Sequence, residues 1–214
     1  MSSFSARTSH IARFLLAAVF CSGLAFSLPA AAQDGAPTAA VKSVVDAILD
    51  ILRSPDFKLE DDRPAIRAEI RRAFDDTAMA QSVLSTNWRQ ATKEQQNEFK
   101  DLLSQTIEGT YIGRLRAYSN ETVDFLAEEI KENRATVDTV IRSATGDIPL
   151  IYKLRKRSDG WFVYDVEIEN VSMVSTYRET YRSVVRKDGM DGLLQQMRDK
   201  IAELEAQANL QTDV

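Results

Sequence analysis

Cysteine and histidine are nearly absent from this chain of 214 residues. The one cysteine is Cys21 and the one histidine is His10, both near the start. That start reads as a secretory signal peptide spanning 1–32. Arg7 and Arg13 form the positive n-region, Phe14 to Leu28 an apolar run, and Ala30-Ala31-Ala32 a small-residue cleavage pattern before Gln33. The run is about 15 residues, short of the ~20 that span a bilayer. The bulky Phe20 before Cys21 argues against lipid modification of that thiol.

Removing the leader leaves a domain without cysteine or histidine. It can form no disulfide and has no thiol nucleophile. Ser-His-Asp and Cys-His catalysis, imidazole acid–base chemistry and nearly all zinc sites are excluded with them. No cofactor is expected. Glycine is also scarce, at eight in the whole chain, and nowhere forms a phosphate-binding loop. The leader holds two of the 27 cations and none of the 32 carboxylates, so the remainder carries a net charge of −7. An acidic domain of this kind is not expected to bind nucleic acid, which requires basic patches.

The rest of the chain reads as one domain over 39–205, preceded by a flexible segment at 33–38 and followed by a frayed tail at 206–214. Val41, Val44, Val45, Ile48, Leu49 and Leu52 recur at helical spacing. A second helix is expected to start near Arg63-Pro64, and a short one to span Asp76 to Ser85. Thr92 with Gln95 forms a capping box, opening a helix that the periodicity carries to Tyr118. The period then changes to two. Glu121 to Ile130, Ala135 to Ala144, Ile148 to Lys156 and Trp161 to Ile168 read as half-buried strands, the last two joined by a tight turn. Helix resumes after Val171, and Gly189 and Gly192 bracket the start of a last one. Helices, then strands, then helices predict an α+β domain: a twisted antiparallel sheet of about four strands packed with several helices.

Asp165, Glu167 and Glu169 alternate along one strand, so they share a face that could hold a hard cation or an acid/base pair. The plainer reading is a solvated strand face opposite Lys153, Arg155 and Arg157. Tyr177-Arg178 and Tyr181-Arg182 repeat at i, i+4. The tyrosines suit the mouth of an apolar cavity and the arginines could meet a phosphate.

The C-terminal half runs Trp161-Phe162-Val163-Tyr164-Asp165-Val166-Glu167-Ile168-Glu169-Asn170-Val171-Ser172, then Tyr177-Arg178, then Gly189-Met190-Asp191-Gly192-Leu193-Leu194. Upstream stand Phe74-Asp75, Met79-Ala80, Trp88-Arg89, Thr92, Gln95-Gln96 and Phe99. This ordered set, from about Ala39 to Leu204, resembles the MlaC family of periplasmic phospholipid-binding proteins, also called toluene-tolerance proteins. Asn170 departs from the glycine expected there. The resemblance implies a non-enzymatic lipid carrier, an auxiliary component of an ABC transporter that maintains outer-membrane lipid asymmetry. Its implied partners are phospholipid, an outer-membrane lipoprotein complex and an inner-membrane ABC transporter complex with its substrate-binding ring component.

On this reading the acyl chains lie between sheet and helices. The long helix would contribute Leu103, Ile107 and Tyr111 to the lining. The sheet would contribute Val140, Leu150, Tyr152, Trp161 and Val163, and the following segment Val171, Val174, Tyr177 and Tyr181. Two other functions stay open at this point: a hopanoid carrier of the same family, and a hydrolase using Asp165 and Glu167.

Overall fold

The structure is a computed structural model and describes residues 36–118 and 120–212. The expected leader lies outside these residues, as does the first half of the expected flexible segment. Helix α1 spans Pro37–Leu52 and starts two residues earlier than its periodicity suggests, with Pro37 in the first turn. Proline fits there because the first N–H groups of a helix have no internal partner. Thr38 is held by Glu128, which accepts from its N–H at 2.7 Å and from its hydroxyl at 2.6 Å. Residues 36–38 therefore belong to the folded domain.

Helix α2, Leu59–Ala73, begins before Arg63-Pro64 and contains Pro64. Glu60, Asp61 and Asp62 crowd its first turn, where the helix dipole favours negative charge. Helix α3 (Asp76–Leu84) is capped by the Asp75 carboxylate, which accepts from the Ala78 N–H. Helix α4 (Lys93–Tyr111) opens on the capping box of Thr92 and Gln95. It ends earlier than the apolar spacing predicts, tightening at Ile112 into a 3-10 turn that runs to Ala117.

Five strands follow: β1 (Thr122–Lys131), β2 (Arg134–Ser143), β3 (Gly146–Arg157), β4 (Gly160–Ile168) and β5 (Val171–Ser172). They form an antiparallel meander in chain order, one strand more than expected. The extra strand arises at Glu169-Asn170, whose φ angles of 50° and 66° both lie in the left-handed region. A two-residue hairpin turn needs this geometry, and asparagine tolerates it nearly as glycine does. The departure at Asn170 therefore keeps the turn.

Helix α5 (Met173–Thr212) continues through the expected frayed tail. Gly189, with φ 71° and ψ −174°, kinks it. The expected break falls there, but as a kink within one element.

One face of the sheet packs on the helices. Alternation along the strands sends Val137, Leu154 and Val163 inward, and each is almost wholly buried. These join Val41 of α1, Trp161 and Met173 in a sheet-side core. A helical core gathers Phe99, Leu103, Val174, Tyr181, Leu193 and Met197 from α4 and α5, with Val83 of α3. Phe74, Ile107 and Tyr177 touch both. A third cluster joins α1, α2 and the 3-10 turn through Leu52, Leu59, Ile66 and Ile112.

Candidate functional site

The inner face of the sheet is not filled evenly. The register places Ala135 opposite Leu154, and Leu154 opposite Val163, near the turns at 132–133 and 158–159; all three are buried. At the other end Ile141 lies opposite both Val123 and Ile148, and all three are only half-buried. Phe125 and Ile168, one layer in, are also half-buried. Val45 of α1 with Ile107 and Tyr111 of α4, also half-buried, pack against the sheet-side core. A polar cluster would point to chemistry. This arrangement instead suits an apolar guest, because every methylene removed from water there contributes about 0.8 kcal/mol.

The aromatic wall of the seam is built by pairing α5 against α4. Tyr181 lies beside Thr106 and Tyr177 beside Thr110. Each threonine hydroxyl already donates to a carbonyl one turn back, Leu102 O or Thr106 O, both at 2.7 Å. The tyrosine rings lie 5.6 Å apart, and Tyr181 meets Phe99 edge-on at 5.9 Å. Burial pushes both tyrosine hydroxyls above their ordinary pKa. Burial also pushes Tyr152 up to about 12.

The residues expected to line a pocket divide into four groups. Leu150, Tyr152, Trp161 and Val163 share the inner face of the sheet, with Tyr111 against them. Ile107 and Tyr177 stand where the sheet-side and helical cores meet. Leu103, Val174 and Tyr181 are buried in the helical core. Two positions do not fit. Val140 lies one register position out of phase with inward Val137 and Thr139, so it faces the outer side of the sheet. Val171 is 60% exposed on the short β5. The misplacement of Val140 follows from Thr139, a polar residue turned inward with its hydroxyl directed to Leu150 O at 3.4 Å. It interrupts the apolar pattern that would have marked Ile141. Ile141, Ile148, Phe125, Ile168 and Val45 are the inward positions that sequence reading missed. Strict alternation counted forward from Val137 reaches Ile141.

The carboxylate strand has other work. A bulge places Tyr164 as an extra residue between Val163 and Asp165. Asp165 is buried and caps α5: it accepts from the Ser172 hydroxyl at 2.8 Å and the Val174 N–H at 3.1 Å. Lys153 pairs with Asp165 at 3.4 Å and also with Glu167. Glu169 leaves the strand for the turn, so the three carboxylates do not form one row. Of the three expected basic partners, Arg155 and Arg157 turn instead to Asp75, at 2.7 and 3.7 Å. Arg178 donates from Nε to Ser82 O at 2.8 Å, tying α5 to α3.

A separate ionic cluster was not foreseen. Arg63 and Arg67 of α2 both bond Glu108 of α4, at 2.7 and 2.6 Å. Burial raises the Glu108 pKa, but the two guanidinium groups outweigh it and hold the carboxyl below its usual value. The i, i+4 spacing of the arginines was visible in the sequence; their common partner 41 residues beyond Arg67 was not.

Comparison with known proteins matches this chain over residues 42–199 to the MlaC protein family. A Haemophilus influenzae relative, described as the intermembrane phospholipid transport system binding protein MlaC, is 22% identical over 183 residues. The match covers 81% of this chain and 86% of the relative. The structure is similar to that of a phospholipid-binding protein from Ralstonia solanacearum solved in complex with a phospholipid. That likeness has a TM-score of 0.74 and 27% identity, and covers 79% of this chain and 99% of the other.

Proposed function

The chain belongs to the MlaC family, and from that membership we propose that it is a periplasmic carrier for phospholipid acyl chains. The observation that carries this reading is the half-buried apolar end of the sheet's inner face, formed by Val123, Phe125, Ile141, Ile148 and Ile168. Acyl chains entering there would complete the burial of these side chains. A phospholipid with about 30 methylenes loses about 25 kcal/mol of burial on entering water, which makes unassisted crossing of an aqueous compartment negligible. A carrier needs an apolar enclosure and reversible handoff, and neither requires a catalytic group. The donor and acceptor would be an outer-membrane lipoprotein complex and an inner-membrane ABC transporter with its ring component.

The test is to express the chain with its leader, purify it from the periplasm and identify extracted lipid by mass spectrometry, with native mass spectrometry for stoichiometry. A stoichiometric diacyl phospholipid is the expected result. A hopanoid would keep the carrier and change its cargo. A folded protein free of lipid, and unable to take it from vesicles, would overturn the proposal. Sequencing the N-terminus of the same sample checks cleavage after Ala32.

A further inference from the structure

The inner face of the sheet carries two polar side chains in an otherwise hydrocarbon surface. From Ala135 to Ile141, from Ile148 to Leu154 and from Trp161 to Ile168, the inward positions are apolar except Thr139 and Tyr152. The two are diagonal neighbours, since Thr139 lies opposite Leu150 and Tyr152 opposite Val137. Thr139 is sealed, and its hydroxyl is turned to Leu150 O. Tyr152 differs in both respects.

Buried Val137 on β2 and buried Val166 on β4 flank Tyr152, yet Tyr152 itself is only half-buried. Its hydroxyl has no hydrogen-bond partner among the described residues. The hydroxyls of Tyr118 and Tyr164, by contrast, meet Glu121 O and Arg134. Among the described residues, the fully enclosed side-chain atoms that lack a hydrogen bond belong to Arg67 and Asp75, so the Tyr152 oxygen keeps some accessible surface. Burial nevertheless pushes its pKa up to about 12, as for a phenol held away from bulk water. A donor so placed is costly to leave unpaired, and open space beside it lets a guest supply the acceptor.

The chemistry of the cargo decides what that acceptor is. Acyl chains have none along their length. A phosphate carries charge, and none of these inward positions holds a cation to match it. The ester carbonyls that join the chains to glycerol are neutral acceptors, and they enter wherever the chains begin. Resting on the carrier reading, we infer that the Tyr152 hydroxyl donates to an ester carbonyl of the bound lipid and thereby selects ester-linked over ether-linked phospholipid. A site that hydrogen-bonds its guest rejects an analogue lacking the bonded group, whereas packing of carbon alone discriminates weakly. Chain carbons beyond the carbonyl meet only hydrocarbon, so the choice is made at one bond.

The test uses the mature chain, stripped of lipid and offered two phosphatidylethanolamines with chains of equal length, one diacyl and one dialkyl. Competition followed by native mass spectrometry gives relative affinity. The parent is expected to take up both and to hold the diacyl lipid about tenfold more tightly, a difference of about 1.4 kcal/mol. Tyr152→Phe deletes one oxygen and keeps the ring; it should carry both lipids with equal affinity. Tyr164→Phe, where the lost hydroxyl served Arg134, should keep the parent's preference. Infrared spectra of diacyl lipid isotope-labelled at its ester carbonyls read the bond directly. One carbonyl band should lie at lower frequency in the parent than in Tyr152→Phe. Three results would each overturn the inference: equal affinity of the parent for both lipids, a preference that survives Tyr152→Phe, or carbonyl bands that coincide in the two proteins. Tyr152→Met, which also lacks the hydroxyl, takes the same role if Tyr152→Phe does not fold. A folded parent that takes up neither lipid would instead refute the carrier reading, and this inference with it.

Discussion

Arg155 reaches from β3 to Asp75 at the start of α3, with Nε 2.7 Å from a carboxylate oxygen. The other Asp75 oxygen accepts from the Ala78 N–H at 2.8 Å, so one buried side chain caps a helix and anchors it to the sheet. Asp75→Ala removes both roles and is expected to cost about 1–3 kcal/mol, the range for losing a cap together with a partly exposed ionic contact. Arg155→Met should cost less, because Arg157 stands 3.7 Å from the same carboxylate. Urea denaturation of both variants checks the order; an Asp75→Ala loss below the Arg155→Met loss would refute it.

The uneven filling of the sheet face separates stability from cargo. Leu154→Ala, at the fully buried end, should lose about 2–5 kcal/mol while lipid still copurifies. Ile148→Trp, at the half-buried end, should cost no more than about 1–3 kcal/mol of stability yet displace bound lipid. Lipid content by mass spectrometry and urea midpoints on the same preparations decide the matter. Retention of stoichiometric lipid in Ile148→Trp would move the binding region elsewhere.

Alkali should unfold this protein through its tyrosines. Burial holds the Tyr152 hydroxyl protonated up to about pH 12 in the folded state, and raises Tyr177 and Tyr181 as well. In the unfolded chain these groups release their protons near pH 10. The folded state therefore binds more protons in that interval, and stability, fully present below pH 10, falls as pH rises. For Tyr152 the loss across pH 10 to 12 is about 2–3 kcal/mol. Urea midpoints through this range, compared with those of Tyr152→Phe, provide the test. An unchanged slope in the variant would contradict it.

The kink in α5 depends on a conformation, not on space. A Cβ built at Gly189 meets nothing within 4 Å, but its φ of 71° with ψ of −174° belongs to a region essentially restricted to glycine. Gly189→Ala should cost about 1–3 kcal/mol. Gly189→Asn should be no milder, since asparagine helps only in the ordinary left-handed region. Thermal melts distinguish this from steric crowding, which dominates at Gly192, where a Cβ would lie 2.5 Å from Asp188 Cβ.

Much of the architecture was legible because hydrophobic periodicity is a local property. The capping box at Thr92, the turn at Ser158-Asp159 and the change of period after Asn120 fixed α4 and four strands. Helix ends were read less well. Pro37 and Pro64 each permit more helix than a proline first suggests, and Tyr111 ends α4 although apolar spacing continues beyond it. The candidate site was legible only in part. Alternation identified Leu150, Tyr152, Trp161 and Val163, but inward Thr139 concealed Ile141. The partners of Asp75, Glu108 and Arg178 come from distant segments, and nothing in local spacing specifies them.

The place of Tyr177 between the two cores sets the character of the wall it would form. An acyl chain reaching it would meet a largely buried ring, and so mostly hydrocarbon. Such a wall would rank lipid guests as an oil phase does, by how much carbon they bring. Selectivity among lipids would then follow chain length and bulk, with indifference to chemical detail at the buried end.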